Sequence, residues 1–444
     1  MRGIEGALKV LEEVERGVFA SESLRRTLRD IEPAERKLAS TLVYITLRRM
    51  GLWKHLLAKF CKKSPASLSK DTLQCLIVGT AGVLELRNFK QGVLVNALVQ
   101  RVKNKASGDS REPALVNAVL HTIIENAGAY IERLKKSTAL RDQALVSGIP
   151  GWVASVWGKE LGTKEARRLL QISTSQTWMA LRMSPDVDIA EWIAGYEPNS
   201  PNPPQRSEII ERCVRLEANP YPPDIPGYAD GRATPQTESS MLVVETLLSH
   251  WNGGYLLDMC MGRGVKAGHI LSRRPCAAIE GWDMSPSRLS AAEREFERLR
   301  VAGRCKMVSG DARNLIPSEP PSAILLDVPC SGSGTWGRHP DGKWRTTPAS
   351  VAKLEKTQKT LLEHACNILV PNGIIMYCTC SVFRGENENI AGSVMSARND
   401  MIELPVRINI PAARKGKPYG TVLLPETPWI DGFYMVLLKK ARRG

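Results

Sequence analysis

Tyr255-Leu256-Leu257-Asp258-Met259-Cys260-Met261-Gly262-Arg263-Gly264 is a short apolar run that stops at an aspartate and breaks into glycines. The apolar residues suit a buried strand. The glycines suit a tight turn that opens a helix and lets a ligand approach the backbone. Farther along, the same pattern repeats. Ala277–Trp282 ends at Asp283, Cys305–Val308 leads into Ser309-Gly310-Asp311-Ala312-Arg313, Ala323–Leu326 ends at Asp327, and Ile374–Cys378 runs into Thr379-Cys380. Helix-length segments, Pro286–Val301 and Pro348–Leu369, lie between them. Alternating β and α elements predict an α/β domain with a doubly wound, mostly parallel sheet over residues 231–444. Ligands of such sheets sit beyond the carboxyl ends of the strands, where these acids and thiols fall.

Upstream the grammar differs. Ala7, Val10, Leu11 and Val14 recur at helical spacing, as do Val116, Val119, Leu120 and Ile123, with little strand-like alternation between them. Residues 1–140 are therefore expected to form an all-α domain. Residues 141–230 hold the breaker cluster Gly148-Ile149-Pro150-Gly151-Trp152 and a Pro-rich stretch from Glu197 to Pro226, which predict a small α+β middle domain with a linker.

With 444 residues, 43% of them hydrophobic and 24% charged, the chain has the balance of a folded multidomain protein. Its formal net charge of +15 favours a polyanionic partner. Residues 1–140 carry 24 Lys/Arg against 14 Asp/Glu, with basic runs such as Arg101, Lys103 and Lys105 on the polar helix faces. No apolar stretch reaches the ~20 residues that span a bilayer, and Met1–Glu5 leads into an amphipathic helix rather than a signal peptide, so a cytoplasmic location without membrane partners is expected. The ten cysteines lack a disulfide spacing, and in a reducing compartment they remain thiols.

Asp283 suits the two hydroxyls of a ribose, and Asp311 an adenine amino group. With the glycine loop they fit an adenosine ligand, though this alone does not separate S-adenosylmethionine from NAD. Leu326-Asp327-Val328-Pro329-Cys330-Ser331-Gly332-Ser333-Gly334 and Tyr377-Cys378-Thr379-Cys380-Ser381-Val382 then place two thiols at strand ends in polar loops. Cytosine C5 is a poor nucleophile until a thiolate adds at C6, and a thiol of pKa ~8.5 supplies that thiolate near neutrality. Asp327 can hold the N3/N4 edge of the base. Cys366 and Cys378 read as small buried hydrophobes. Cys378 and Cys380 do not make a zinc site, because no second CxxC or histidine pair stands at ligand spacing and the six histidines are dispersed.

On these residues the chain resembles the Sun family of RNA (cytosine-5)-methyltransferases, and within it the RsmB/Sun branch that acts on 16S ribosomal RNA. The matching motifs are Asp327-Val328-Pro329-Cys330-Ser331, Arg338-His339-Pro340-Asp341-Gly342-Lys343-Trp344, Thr379-Cys380-Ser381 with Glu386-Asn387, and Asp431-Gly432-Phe433. The resemblance covers nearly the whole chain and implies a NusB-like RNA-binding domain at residues 1–140 ahead of a Rossmann-like S-adenosylmethionine-dependent catalytic domain. It implies Cys380 as nucleophile, Cys330 as the residue assisting product release, and Asp327 as the base-holding acid. It also implies Asp258, Cys260, Met261, Gly262, Arg263, Gly264, Lys266, Asp283, Arg288, Asp311 and Asp327 around the cofactor. Arg338, Lys343 and Trp344 would face RNA, with no metal and a monomeric enzyme expected. The family's Cys-Ala-Ala-Pro-Gly-Gly-Lys loop reads Cys260-Met261-Gly262-Arg263-Gly264-Val265-Lys266 here, which should alter the loop backbone. Its Gln-Asp-x-x-Ser element is Gln236-Thr237-Glu238-Ser239-Ser240, and its Ser-His-Pro-x-Trp element is Ser147-Gly148-Ile149-Pro150-Gly151-Trp152, without the histidine. Two other readings stand beside this one: the same chemistry on tRNA or another RNA, and a non-catalytic RNA-binding assembly factor.

Overall fold

The computed structural model describes residues 2–87, 89–105, 111–173, 175, 177–196, 202–217, 219–274, 277–406 and 408–442. Residues 197–201 and 218 of the expected Pro-rich linker lie outside this set. The chain forms two compact units, Met1–Ser175 with Trp336–Arg345, and Gln176–Thr335 with Thr346–Gly444.

The first unit is helical. It contains α1 (Arg2–Glu15), α2 (Ala20–Thr27), α3 (Pro33–Arg48), α4 (Met50–Phe60), α5 (Lys70–Glu85), α6 (Gln91–Lys105), α7 (Glu112–Lys136), α8 (Leu140–Ser147), α9 (Gly151–Leu161) and α10 (Thr163–Ile172). The apolar positions noted in α1 and α7 all enter one core except Val14, which packs on its edge. α5 is buried along most of its length, and its glycines make room for neighbours: a β-carbon at Gly82 would collide with Leu94, and one at Gly79 with Leu120. The unit continues past residue 140 because α8, α9 and α10 pack on one another and α8 packs on α7. The expected middle domain is thus divided between the two units.

In the second unit β1 (Met179–Met183), α11 (Ile189–Gly195), β2 (Gln205–Arg206), β3 (Cys213–Leu216) and β4 (Ala233–Pro235) form a small antiparallel sheet of order β2-β3-β1-β4 with its helix. Next come α12 (Glu238–His250), β5 (Leu256–Asp258), α13 (Val265–Arg273), β6 (Ile279–Asp283), α14 (Pro286–Arg298), β7 (Cys305–Ser309), β8 (Ala323–Asp327), α15 (Pro348–Ile368), β9 (Ile374–Thr379) and α16 (Glu388–Ser396). The chain ends with β10 (Met401–Leu404), β11 (Ala413–Lys415), β12 (Thr421–Leu423) and β13 (Phe433–Lys440).

β7, β6, β5, β8 and β9 lie side by side in parallel, and β13 adds antiparallel to β9 with Tyr434 opposite Thr379. The expected doubly wound sheet is present. Alternate residues feed opposite faces: Leu256, Leu325 and Met376 join one core cluster, while Leu257, Ile324 and Ile375 join another. Burial on both faces explains why these strands read as continuous apolar runs. The order reverses between β5 and β8, so the crevice beyond their carboxyl ends is the expected ligand position.

Candidate active site

Asp258 and Asp327 end neighbouring strands at that crevice. Gly262 and Gly264 both adopt left-handed backbone, with φ of 59° and 73°, so the loop turns sharply into α13. Arg263 between them is exposed, and Val265 begins the helix, so both departures from the family loop sit where a side chain is tolerated. A β-carbon on Gly262 would meet nothing within 4 Å, so the loop backbone borders open space. Asp283 closes the other side, accepting from the Gly262 amide at 3.0 Å and the Ser285 amide at 2.8 Å, with Arg288 at 3.8 Å.

The carboxyls of Asp258, Asp327, Asp283 and Asp311 all act on the Cys260 thiol, which burial in the first place and then these charges push well above its usual range. Asp258 is itself pushed up to about 7, chiefly by burial and then by the Asp327 charge. Such a set of acceptors fits an adenosine ligand bearing hydroxyls, an amino group and a positive charge.

Lys266 reaches back from α13 to Asp327 at 2.5 Å and lies 5.5 Å over the Phe433 ring. Burial works against its charge, yet Asp327, followed by the Cys378 and Cys380 thiols, holds the ammonium above its ordinary pKa. Cys378 turns its thiol to the other Asp327 oxygen at 3.6 Å, so this buried side chain also touches the site.

Cys330 and Cys380 come together, with their sulfurs 3.4 Å apart. The Cys330 thiol is pushed well above its usual range, first by its hydrogen bond to Cys380 and then by burial. Glu386 fixes both cysteine loops. Its fully buried carboxylate accepts from the Ser331 amide (2.8 Å), the Ser331 and Ser381 hydroxyls (2.5 Å each) and the Gln358 amide (3.0 Å). Asn387 accepts from the Thr379 hydroxyl at 2.5 Å and donates to the Ser381 carbonyl at 2.9 Å. Gly334 donates to the Cys380 carbonyl, and Gly432 to the Gly334 carbonyl, each at 2.9 Å. A side chain on Gly334 would collide with the Gly432 backbone, so three loops meet only because these residues are glycines.

The sequence pointed to Glu386-Asn387 and Asp431-Gly432-Phe433 as motifs without giving them a task. Ser331 and Ser381 stand in the quoted motifs without a task, and Gln358 is not singled out by the sequence, since an isolated polar residue carries no periodic signal. Among the residues expected around the cofactor, Met261 packs its side chain in the core against Gly281 and Cys305 and leaves its backbone to the loop. Asp311 has both oxygens engaged by Arg313, so an adenine amino group would have to share them.

Of the residues expected to face RNA, Lys343 is fully buried, while Trp344 and Arg338 keep part of their surface exposed. Trp336–Arg345 belongs to the helical unit. There Lys343 is fully buried and donates to the Arg48 carbonyl at 2.5 Å, and burial pulls its amine well below the usual lysine pKa. Trp344 donates to the Leu47 carbonyl at 2.6 Å and packs over Gly51. Both side chains anchor this segment among helices. Arg338 in the same segment is half-buried.

Residues 245–439 match the family described as 16S rRNA methyltransferase RsmB/F, and residues 5–125 match the NusB family. The chain is 25% identical over 432 residues to the ribosomal RNA small subunit methyltransferase B of Vibrio cholerae, covering 96% of this chain and 94% of that one. It is 27% identical over 446 residues to the protein of the same name from Thermus thermophilus, covering 98% and 96%. The solved structure of PH0851 superposes with a TM-score of 0.81 at 20% identity, covering 99% of this chain and 98% of that one, and so shares the fold.

Proposed function

The chain belongs to the RsmB/F family of S-adenosylmethionine-dependent RNA methyltransferases, and from that premise we propose that it methylates carbon 5 of a cytosine in 16S ribosomal RNA, with Cys380 as the covalent nucleophile. The observation that carries this reading is the pair of thiols 3.4 Å apart at the ends of adjacent strands, beside the Lys266–Asp327 ion pair. S-adenosylmethionine, held by the glycine loop with Asp258, Asp283 and Asp311, supplies an electrophilic methyl group when bound.

The protein's own groups divide the remaining work. In this reading Cys380 adds through sulfur, as its thiolate, to C6, while the hydrogen bond to Cys380 and then burial favour the protonated form of Cys330. Lys266 supplies a nearby positive charge that favours the thiolate. Asp327 accepts from the exocyclic amino group of the base and fixes the ring over the thiol. Adding sulfur to C6 puts an electron pair on C5, which takes the methyl group. Loss of the C5 proton to a base then restores the C5–C6 double bond and expels Cys380. Cys330, 3.4 Å from that sulfur, returns a proton to it and assists release. The cytosine must be unpaired to present C6.

The test is denaturing electrophoresis with 16S RNA and methyl donor. Cys380→Ala should abolish methylation, and Cys330→Ala should accumulate a protein–RNA adduct. Full activity in both variants would overturn the assignment, and bisulfite sequencing of RNA from cells lacking the protein would show whether the lost mark lies in 16S RNA.

A further inference from the structure

We propose that the face of the helical unit where α4 meets α7 is an RNA-backbone contact in which Lys59 and Arg133 each neutralise a phosphate. The proposal rests on the RNA substrate of the preceding section and deepens it by naming the docking face.

Tyr130 is the centre of this face. Its hydroxyl lies 2.8 Å from His55 Nε2, its ring is nearly parallel to the His55 ring at 5.8 Å, and Phe60 meets it edge-on at 6.2 Å. His55, Phe60 and Tyr130 are half-buried, so the cluster is rooted in the fold while keeping an accessible side. Two exposed cations are held over the Tyr130 ring: the Lys59 Nζ lies 4.8 Å from its centroid and the Arg133 Cζ 4.9 Å. A cation fixed by a ring has already lost much of the rotamer freedom that anion binding would otherwise cost.

Both cations are also uncompensated. Among the described residues neither Lys59 nor Arg133 forms an ion pair with a carboxylate, whereas Lys135, two residues beyond Arg133, is taken by Glu132 at 2.7 Å. Asp142, the nearby acid, accepts from the Ser137 hydroxyl at 2.6 Å. His55 reports the surrounding field: burial first, then the charges of Lys59 and Arg141, depress its pKa against the weaker pull of Asp142. Pinned, unpaired positive charge bordered by half-exposed rings matches a polymer that offers phosphates and stackable bases. An acidic protein surface offers the charge without the bases.

The experiment uses the full-length protein and a 16S RNA transcript, with binding followed by fluorescence anisotropy at several KCl concentrations. Lys59→Ala with Arg133→Ala should lower the slope of log affinity against log salt by about 1.5, from roughly 0.7–0.9 per lost phosphate contact. The KM for RNA should rise about tenfold or more with kcat unchanged. Tyr130→Ala should reproduce part of this loss, and Tyr130→Phe, which keeps the ring, should not. Unchanged melting temperature and S-adenosylhomocysteine affinity would certify the variants as folded. An unchanged salt slope and KM in the folded double variant overturns the face, as does RNA binding at wild-type strength with loss only of binding to ribosomal protein. Failure of the wild type itself to bind or methylate RNA overturns the reading beneath it, a result distinct from both.

Discussion

Asp258 shows how one burial event links stability to ligand. Its folded-state pKa of about 7 stands above the ordinary aspartate value of 3.8, so the folded protein holds a proton that the unfolded chain releases. By linkage, stability falls as pH rises from about 4 through 7, by up to about 4 kcal/mol. Asp258→Asn should flatten that decline and leave the ligand-free protein more stable than wild type at pH 8, while weakening S-adenosylhomocysteine binding; urea melts at pH 5 and 8 with calorimetry check both. Glu386 is the opposite case, a buried carboxylate surrounded by donors. Glu386→Gln must turn an amide N–H₂ toward hydroxyl and amide donors, at a cost of about 1.5–3 kcal/mol. It should lower kcat at least tenfold with unchanged S-adenosylhomocysteine affinity, because the group positions the cysteine loops without touching the cofactor loop. An equal loss of cofactor affinity would refute that division.

At the scale of elements, the turn between β5 and α13 holds the cofactor side together. Gly264 combines a φ of 73° with a neighbour problem, since a β-carbon there would lie 2.8 Å from the Phe296 ring and 3.0 Å from Ala292. Gly264→Ala should therefore cost about 1–3 kcal/mol, read as a lower melting temperature, and weaken cofactor binding as α13 shifts. Val265→Gly, which restores the family's residue at a helix start, should change stability by less than about 1 kcal/mol. The five parallel strands were legible because each is an apolar run ending in a polar residue. β1 to β4 were not, because antiparallel strands of five residues or fewer carry no periodic signal that survives their length. β13 was seen only as the motif that precedes it.

Across the whole molecule, each unit has its own hydrophobic core: α1 to α8 surround one, and both faces of the large sheet carry others. Calorimetry should resolve two transitions, and S-adenosylhomocysteine at 100 times its Kd should stabilise only the methyltransferase unit, by about 2.7 kcal/mol. A matching rise in both transitions would show that the units unfold as one. Among the described residues no helix is long and apolar enough to cross a membrane. The excess positive charge of the N-terminal third becomes specific only in three dimensions. Some of it is paired, as Arg101 is with Glu5, Glu12 and Asp71, whereas Lys59 and Arg133 face solvent beside the Tyr130 ring.

The amino-acid order alone determined the sheet class, the helical N-terminal region and the chemical kinds present at the strand ends. Periodicity and strand-end polarity are local properties, readable without knowing what packs against what. Tertiary structure alone decided which groups share a dielectric and a distance. It set two thiols 50 residues apart at 3.4 Å, turned Glu386 into the tie between their loops, and buried Lys343 against the Arg48 carbonyl. Contact between distant segments depends on packing shape and desolvation, which no single stretch of sequence encodes.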